Sequence, residues 1–271
     1  MQQSYMPEVY EIKDVKTITP DVKLLRVKSS MNPLPGQFIE VSIPGIGECP
    51  LASCSYNDEY VDILLRNAGN VTAAIFNLKK GDEISMRGPY GKGFPLDLGG
   101  RNVILAAGGT GLAPVTSFIE YIEKNRNKFG SVDIYFGFRN NDYVLLKDRI
   151  EKWKKKFNVI VTLDQKAKGY EQGFINQVME KHKPEIFNSS AFICGPEMMM
   201  KSITKTLNKM GLEDKEIFWS MERRMECAFG VCGRCMIQDV YVCKDGPVFS
   251  YEFIKPRIEN EESANKYGVK K

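Results

Sequence analysis

The chain has a single histidine, His182, among 271 residues, and that scarcity removes a large class of chemistry. His182 lies in the polar stretch EKHKPE with no matching nucleophile motif, so Ser–His or Cys–His hydrolysis has no support and a surface role is expected. No apolar run approaches the roughly 20 residues that cross a bilayer, so no membrane insertion is expected. The first residues, MQQSYMPEVYEIKDV, lack the basic and apolar regions of a signal peptide, and a cytoplasmic location is expected. An excess of one charge is also missing: a net +4 is too weak to indicate nucleic-acid binding. There is no internal repeat or low-complexity segment.

What is present is a soluble globular composition, 43% hydrophobic and 27% charged, on a length that suits two domains and an appendage. From Tyr10 to Arg87, short β-branched or alternating runs (VKLLRVKSS, QFIEVSIP, YVDILLRNAG) are separated by turn signals such as NPLPG, which predicts an antiparallel barrel or sandwich. GNVTAAIFNLKKGD interrupts it with a short helix that Asn70 or Thr72 could cap and Gly81 follows. From Arg101 the pattern changes to strand alternating with helix: NVILAAGG, TGLAPVTSFIEYIEKNRNKFG, VDIYFGF, VLLKDRIEKWKKKF, NVIVTLD, SAFICGP, EMMMKSITKTLNKMG. That grammar predicts a parallel sheet with crossover helices. The expected fold class is α+β multidomain: an antiparallel β barrel, an α/β parallel-sheet nucleotide domain, and a small C-terminal module. The limits are 1–98, 99–222 and 223–255, and a charged, apolar-poor tail at 256–271 is expected to be partly disordered or draped over a surface.

Two glycine-rich turns fall at strand ends of the second region. Gly108-Gly109-Thr110-Gly111 joins a strand to a helix, where glycines let backbone approach a ligand and the helix start offers free N–H groups to a pyrophosphate. It is not a G-x-G-x-x-G fingerprint, and alone it could be tight packing. Cys194-Gly195-Pro196 ends the last strand, where open α/β folds collect ligands. Together they indicate a nucleotide crevice. In the first region Gly69-Asn70-Val71-Thr72, preceded by Arg66, could hold an anion or serve as a plain helix cap. Gly88 to Pro95 is turn chemistry leading out of the barrel.

Four of the seven cysteines, Cys227, Cys232, Cys235 and Cys243, sit in CAFGVCGRCMIQDVYVC with spacing C-x4-C-x2-C-x7-C. An odd cysteine count in a cytosolic protein argues against a disulfide framework. The first three match the plant-type ferredoxin spacing for a [2Fe–2S] cluster, whereas structural zinc more often uses two short-spaced pairs. Gly230 and Gly233 let the loop curl its N–H groups toward sulfur. Cys49 and Cys54, flanking PLAS, read as small core residues.

In this order the motifs resemble the ferredoxin–NADP reductase superfamily. The cysteine segment places the chain in the branch that holds the electron-transfer subunits of dihydroorotate dehydrogenase, sulfhydrogenase (its gamma subunit) and anaerobic sulfite reductase. GQFIEVSIPGIGECP, AAGGTGLAPV and ERRMECAFGVCGRCMIQDVYVCKDGPVF look most like the sulfite reductase subunit, with sulfhydrogenase gamma close behind, and the resemblance runs from about Tyr10 to Phe249. It implies that Gly69, Val71 and Thr72 cradle the pyrophosphate of FAD, where the turn chemistry also puts Arg66 and Asn70, and that Pro50, Leu51, Ala52 and Ser53 face the flavin ring. It implies that Gly108, Gly109, Thr110, Gly111, Cys194, Gly195 and Pro196 line the NADH or NADPH site, with Arg139 near the adenosine end, and that Cys227, Cys232, Cys235 and Cys243 hold the cluster. The superfamily's Arg-Pro-aromatic-Ser signature reads Cys49-Pro50-Leu51-Ala52 here, so Ser53 or a backbone N–H stands in for the missing serine. Arg139 and Lys147 could meet a 2′-phosphate, with a slight lean to NADH.

The function implied is an electron-transfer subunit: NAD(P)H gives a hydride to FAD, which passes single electrons to [2Fe–2S] and on to a catalytic partner, a siroheme sulfite reductase, with a ferredoxin-like subunit possible besides. No side chain need act as acid or base. Alternative destinations are a sulfhydrogenase or dihydroorotate dehydrogenase; alternative classes are a non-catalytic iron–sulfur regulator, which Cys49 and Ala52 keep open, and a zinc-bearing assembly module.

Overall fold

In a computed structural model, which describes residues 5–266, the alternating runs of the first region form a six-stranded antiparallel sheet. Its strands are β1 (Glu8–Thr19), β2 (Val22–Lys28), β3 (Phe38–Ile43), β4 (Gly47–Ala52), β5 (Tyr60–Arg66) and β6 (Glu83–Tyr90), ordered β4-β3-β6-β1-β2-β5. A bridge between Ser53 and Ile63 brings the edge strands β4 and β5 together, so the sheet closes into a barrel and leaves little open edge. Because side chains alternate along a strand, Leu25 and Val27 of β2, Ile39 and Val41 of β3, and Ile63 and Leu65 of β5 share the interior. Between β5 and β6 lies the expected short helix, α1 (Asn70–Phe76), which buries Ile75 against that interior.

The second region alternates as its pattern predicts: β7 (Asn102–Gly108), α2 (Leu112–Lys124), β8 (Val132–Phe138), α3 (Lys147–Trp153), β9 (Asn158–Leu163), then β10 (Glu171–Gln172), α4 (Ile175–His182), β11 (Ser189–Cys194), α5 (Glu197–Lys209) and β12 (Ile217–Ser220). The strands build one sheet, β10-β9-β8-β7-β11-β12-β15, parallel throughout except for β15 (Val248–Ser250), which runs antiparallel to β12. β7 and β11 are buried along almost their whole length because both faces of the sheet are covered. The chain leaves β7 to one side for β8 and β9, then returns to its other side for β11. At such a reversal the strand ends diverge and open a crevice.

Residues 221–247 leave the sheet after β12 and re-enter it at β15, making on the way the hairpin β13 (Met236–Ile237) and β14 (Val240–Tyr241) and the short helix α6 (Val242–Asp245). This excursion shares one core with its neighbours: Ala228, Cys235, Ile237 and Cys243 pack with Trp219 and Phe249 of the sheet and with Phe38 and Tyr90 of the barrel.

Between β9 and β11 lies α4, whose stripe of Ile175, Val178 and Met179 is only one turn long and so makes a weak pattern in the sequence. One expectation needs correction. The charged tail expected at 256–271 belongs through residue 266 to α7 (Tyr251–Lys266), which begins inside the segment assigned to the cysteine module. Ile254 and Ile258, four apart, bury one stripe, while Lys255 pairs with Asp214 at 3.0 Å and Arg257 with Asp239 at 2.7 Å. Residues 267–271 of that tail lie outside the described residues.

Candidate functional site

The two glycine turns meet at the sheet's reversal point, where Ala107 of β7 pairs with Cys194 of β11. A Cβ on Gly111 would lie 2.6 Å from the Cys194 carbonyl oxygen, so only glycine lets the turns touch. Gly109 differs: at φ +55 it has nothing within 4 Å of its would-be Cβ, which leaves its backbone open to a ligand. Above them is a cavity of about 530 Å³ walled by Gly108, Gly109, Thr110, Arg139 and Pro196, and also by Asp164 at the end of β9. Arg139 thus lines the same cavity as the glycine turns. Lys147 does not: it lines a different cavity, between α3 and β1 beside Lys16.

A second cavity, about 330 Å³, shares Arg66 and Thr110 with the first. Pro50, Leu51 and Ala52 of β4 form its barrel side, Cys194 and Thr110 its sheet side, and Met225 and Pro247, which flank the cysteine segment, a third side. Gly69, just before α1, is extended at φ −170 with nothing of the chain within 4 Å of a would-be Cβ, so its backbone is open. Asn70 beside it is exposed. Arg66 is paired with Asp21 at 3.1 Å.

Thr72 lines this second cavity too, and its hydroxyl accepts from the backbone N–H of Ala68 (3.0 Å) and Gly69 (2.8 Å) and donates to the Gly69 carbonyl (3.0 Å), so it also caps the helix. Two expected contacts turn out differently. Val71 packs against the barrel core. Ser53 is fully buried, donating to the Ser55 carbonyl at 2.8 Å and accepting from the Ser55 N–H, so its hydroxyl cannot replace the missing flavin serine.

In the cysteine loop, backbone N–H groups converge on sulfur. Val231 and Cys232 donate to Cys227 Sγ (3.4 Å each), Gly230 to Cys243 Sγ (3.2 Å), Arg234 to Cys232 Sγ (3.5 Å) and Cys243 to Cys235 Sγ (3.5 Å). Burial by itself would raise the Cys227 thiol, but the amides of Cys232, Val231 and Phe229 and a bond with the Cys232 side chain bring it down to about 6. Cys243 goes the other way, up to about 12, through burial and its bond with Cys235. The thiols are thus two pairs, Cys227 with Cys232 and Cys235 with Cys243. Four cysteine thiols brought together on one loop are a donor set that an iron–sulfur cluster takes. Cys232 and Val231 are exposed, whereas Cys235 and Cys243 are buried.

Residues 105–205 match the oxidoreductase NAD-binding domain family, and residues 222–255 match the iron–sulfur cluster binding domain of dihydroorotate dehydrogenase B. Sulfhydrogenase 2 subunit gamma of Pyrococcus furiosus is 34% identical over 92% of this chain and 95% of its own. A Thermococcus kodakarensis protein named "Probable dihydroorotate dehydrogenase B (NAD(+)), electron transfer subunit" is 36% identical over 91% and 97%. The chain belongs to this family of electron-transfer subunits. Its fold is that of ferredoxin–NADP reductases: a chain of the NADH-dependent reduced ferredoxin–NADP oxidoreductase aligns over 100% of both chains with a TM-score of 0.77 at 23% identity.

The protein therefore has an NAD-binding domain and an iron–sulfur domain. Among the wall residues that escaped the sequence reading are Asp164 and Glu222. Asp164 gave no signal beyond closing the strand NVIVTLD. Glu222 lines the second cavity, where solvent reaches it although crowding protein atoms raise its carboxyl above the usual range. Acidic residues at strand ends in an α/β region would have been the rule to apply. Cys49 and Cys54 behave as core thiols, and His182 only pairs with Glu171 at 3.1 Å near the surface.

Proposed function

We propose that the protein moves electrons from NAD(P)H through FAD to a [2Fe–2S] cluster on Cys227, Cys232, Cys235 and Cys243, and from there to a catalytic partner. The observation carrying this reading is the three-sided wall of the 330 Å³ cavity: barrel strand β4, the turns after β7 and β11, and the flanks of the cysteine segment all meet there. A flavin bound in it converts a hydride, which carries two electrons, into single electrons that a cluster accepts one at a time. Pro50, Leu51 and Ala52 would hold the ring, Arg66 and the open backbone at Gly69 and Asn70 the pyrophosphate, and Gly108 to Gly111 with Cys194 to Pro196 the nicotinamide nucleotide. The division of labour follows residues 1–98, 99–222 and 223–255.

NADH is the better substrate in this reading. Asp164 shares the nucleotide cavity with Arg139, and a carboxylate accepts a bond from a ribose 2′-hydroxyl but repels a 2′-phosphate. Asp164→Asn should narrow the preference for NADH over NADPH by roughly tenfold in kcat/KM, the ratio to measure.

The exposed side of the cluster loop, at Cys232 and Val231, would face the partner. The resemblance of YVCKDGPVF points to a siroheme sulfite reductase, while the relatives carry the names of sulfhydrogenase and dihydroorotate dehydrogenase subunits. Proteins co-purifying with the native chain choose between them. Stoichiometric FAD, with absorbance that NADH bleaches without air, supports the redox reading; a purified chain with iron but no flavin would favour the regulatory one.

A further inference from the structure

Arg87, on barrel strand β6, is only 7% exposed and lies 140 residues from Cys227 in sequence, yet its guanidinium reaches into the cysteine loop. Its five N–H donors all have partners. Nε donates to Glu48 Oε2 at 2.8 Å and Nη2 to Glu48 Oε1; Nη1 donates to the Tyr90 hydroxyl at 3.1 Å and to the Cys227 carbonyl at 2.9 Å; Nη2 also reaches the Glu226 carbonyl at 3.4 Å. Only a planar fork can bind a carboxylate edge-on and two successive carbonyls at once, which a lysine ammonium cannot do.

The grip is part of a larger contact. Just past Tyr90, where β6 ends, the chain touches the other end of the cysteine segment: Lys92 N donates to the Gly246 carbonyl at 2.5 Å, and a Cβ on Gly91 would stand 2.6 Å from that oxygen. One short barrel stretch, Arg87 to Lys92, therefore holds the backbone beside the first ligand, Cys227, and just beyond the last, Cys243. The same stretch carries Tyr90, whose ring packs 5.9 Å from Phe38, a wall of the flavin-side cavity.

We propose that Arg87 is a positioning residue for electron transfer, fixing the cluster loop at Cys227 against the flavin barrel and placing a buried positive charge beside it. The inference rests on the cluster assignment above. Tunnelling falls steeply with distance, so a loop released from the barrel slows the step between flavin and cluster without touching hydride transfer to the flavin. Loss of the charge makes the cluster harder to reduce.

The test is stopped-flow reduction of the whole, cluster-loaded chain by NADH without air, with flavin and cluster followed at separate wavelengths, in wild type, Arg87→Lys and Arg87→Met. The expected result is an unchanged flavin phase, a cluster phase roughly 10- to 100-fold slower in both variants, and a lower cluster potential in Arg87→Met that Arg87→Lys largely restores. A cluster phase and potential equal to wild type in a loaded Arg87→Met would overturn the proposal, as would equal slowing of both phases. Should Arg87→Met fail to fold, Glu48→Gln, which loosens the guanidinium from its barrel anchor, must raise amide exchange at Ala228 and Phe229; unchanged exchange counts against the grip. A wild-type chain showing a flavin but no cluster spectrum would instead bring down the functional reading itself.

Discussion

Cys227 of the cysteine loop and the three cysteines outside that loop, Cys49, Cys54 and Cys194, have different surroundings. Cys54 and Cys194 are buried in the barrel and sheet, Cys49 half-buried, and burial pushes all three thiols up to about 12. Cys227 is less enclosed, and three backbone amides aim at its sulfur, so it sits near 6 instead. At Cys227 donated N–H groups outweigh enclosure and favour the thiolate, the form that binds metal, whereas Cys243, buried and bonded to Cys235, stays up at about 12 although Gly230 donates to it as well. The loop is built to deliver those amides, with Gly230 at φ +77 and Gly233 at φ +78 turning the chain where another residue would be strained.

The sharpest way to break this contrast is to exchange one cysteine from each group. Cys232→Ser should abolish the cluster's visible and EPR signals while NADH still reduces the flavin, whereas Cys54→Ser should keep the cluster and lose only stability, by about 1–3 kcal/mol in denaturant unfolding. Loss of the cluster in Cys54→Ser would erase the distinction.

Glu40 extends the contrast to a carboxyl. It is 1% exposed, its Oε1 has no hydrogen-bond partner among the described residues, and burial, with Glu48 as a secondary cause, raises it to about 8. The native state therefore keeps a proton that the unfolded chain gives up, so stability falls as pH rises from about 4.5 to about 8. Glu40→Gln should flatten that slope, gaining about 2–4 kcal/mol on wild type by pH 8 and nothing near pH 4. A pH-independent difference would show that the carboxyl is not held protonated.

The smallest change tests the amides themselves. Gly230 donates to Cys243 Sγ at 3.2 Å, and a Cβ there would stand 2.8 Å from Lys244 Cδ. Gly230→Ala should cost roughly 1–2 kcal/mol from the left-handed backbone and shift the cluster's potential downward as the amide swings off the sulfur. An unchanged potential would remove amides from the explanation.

Much of this was legible beforehand because periodicity and punctuation are local. The barrel runs, the strand–helix alternation and the C-x4-C-x2-C spacing each lie within one stretch of chain. What escaped was settled between distant segments. Thr72 reads as an anion ligand or a cap, and only folding shows that it caps α1 while lining the cavity. Ser53 looked available because nothing in PLASCS shows that it closes the barrel against Ile63. Lys147 follows the second strand of the sheet closely, yet α3 turns it toward β1. The α7 helix was hidden by its charges, which find Asp214 and Asp239 only after folding.

The central claim is that electrons enter at a nicotinamide and leave through the cysteine loop. Anaerobic titration of the purified full chain with NADH, following flavin absorbance and low-temperature EPR together, tests it directly. The account predicts stoichiometric flavin that bleaches and a reduced-cluster EPR signal that grows in parallel and is absent in Cys232→Ser. A flavin that NADH bleaches while the cluster stays oxidised and EPR-silent would contradict it.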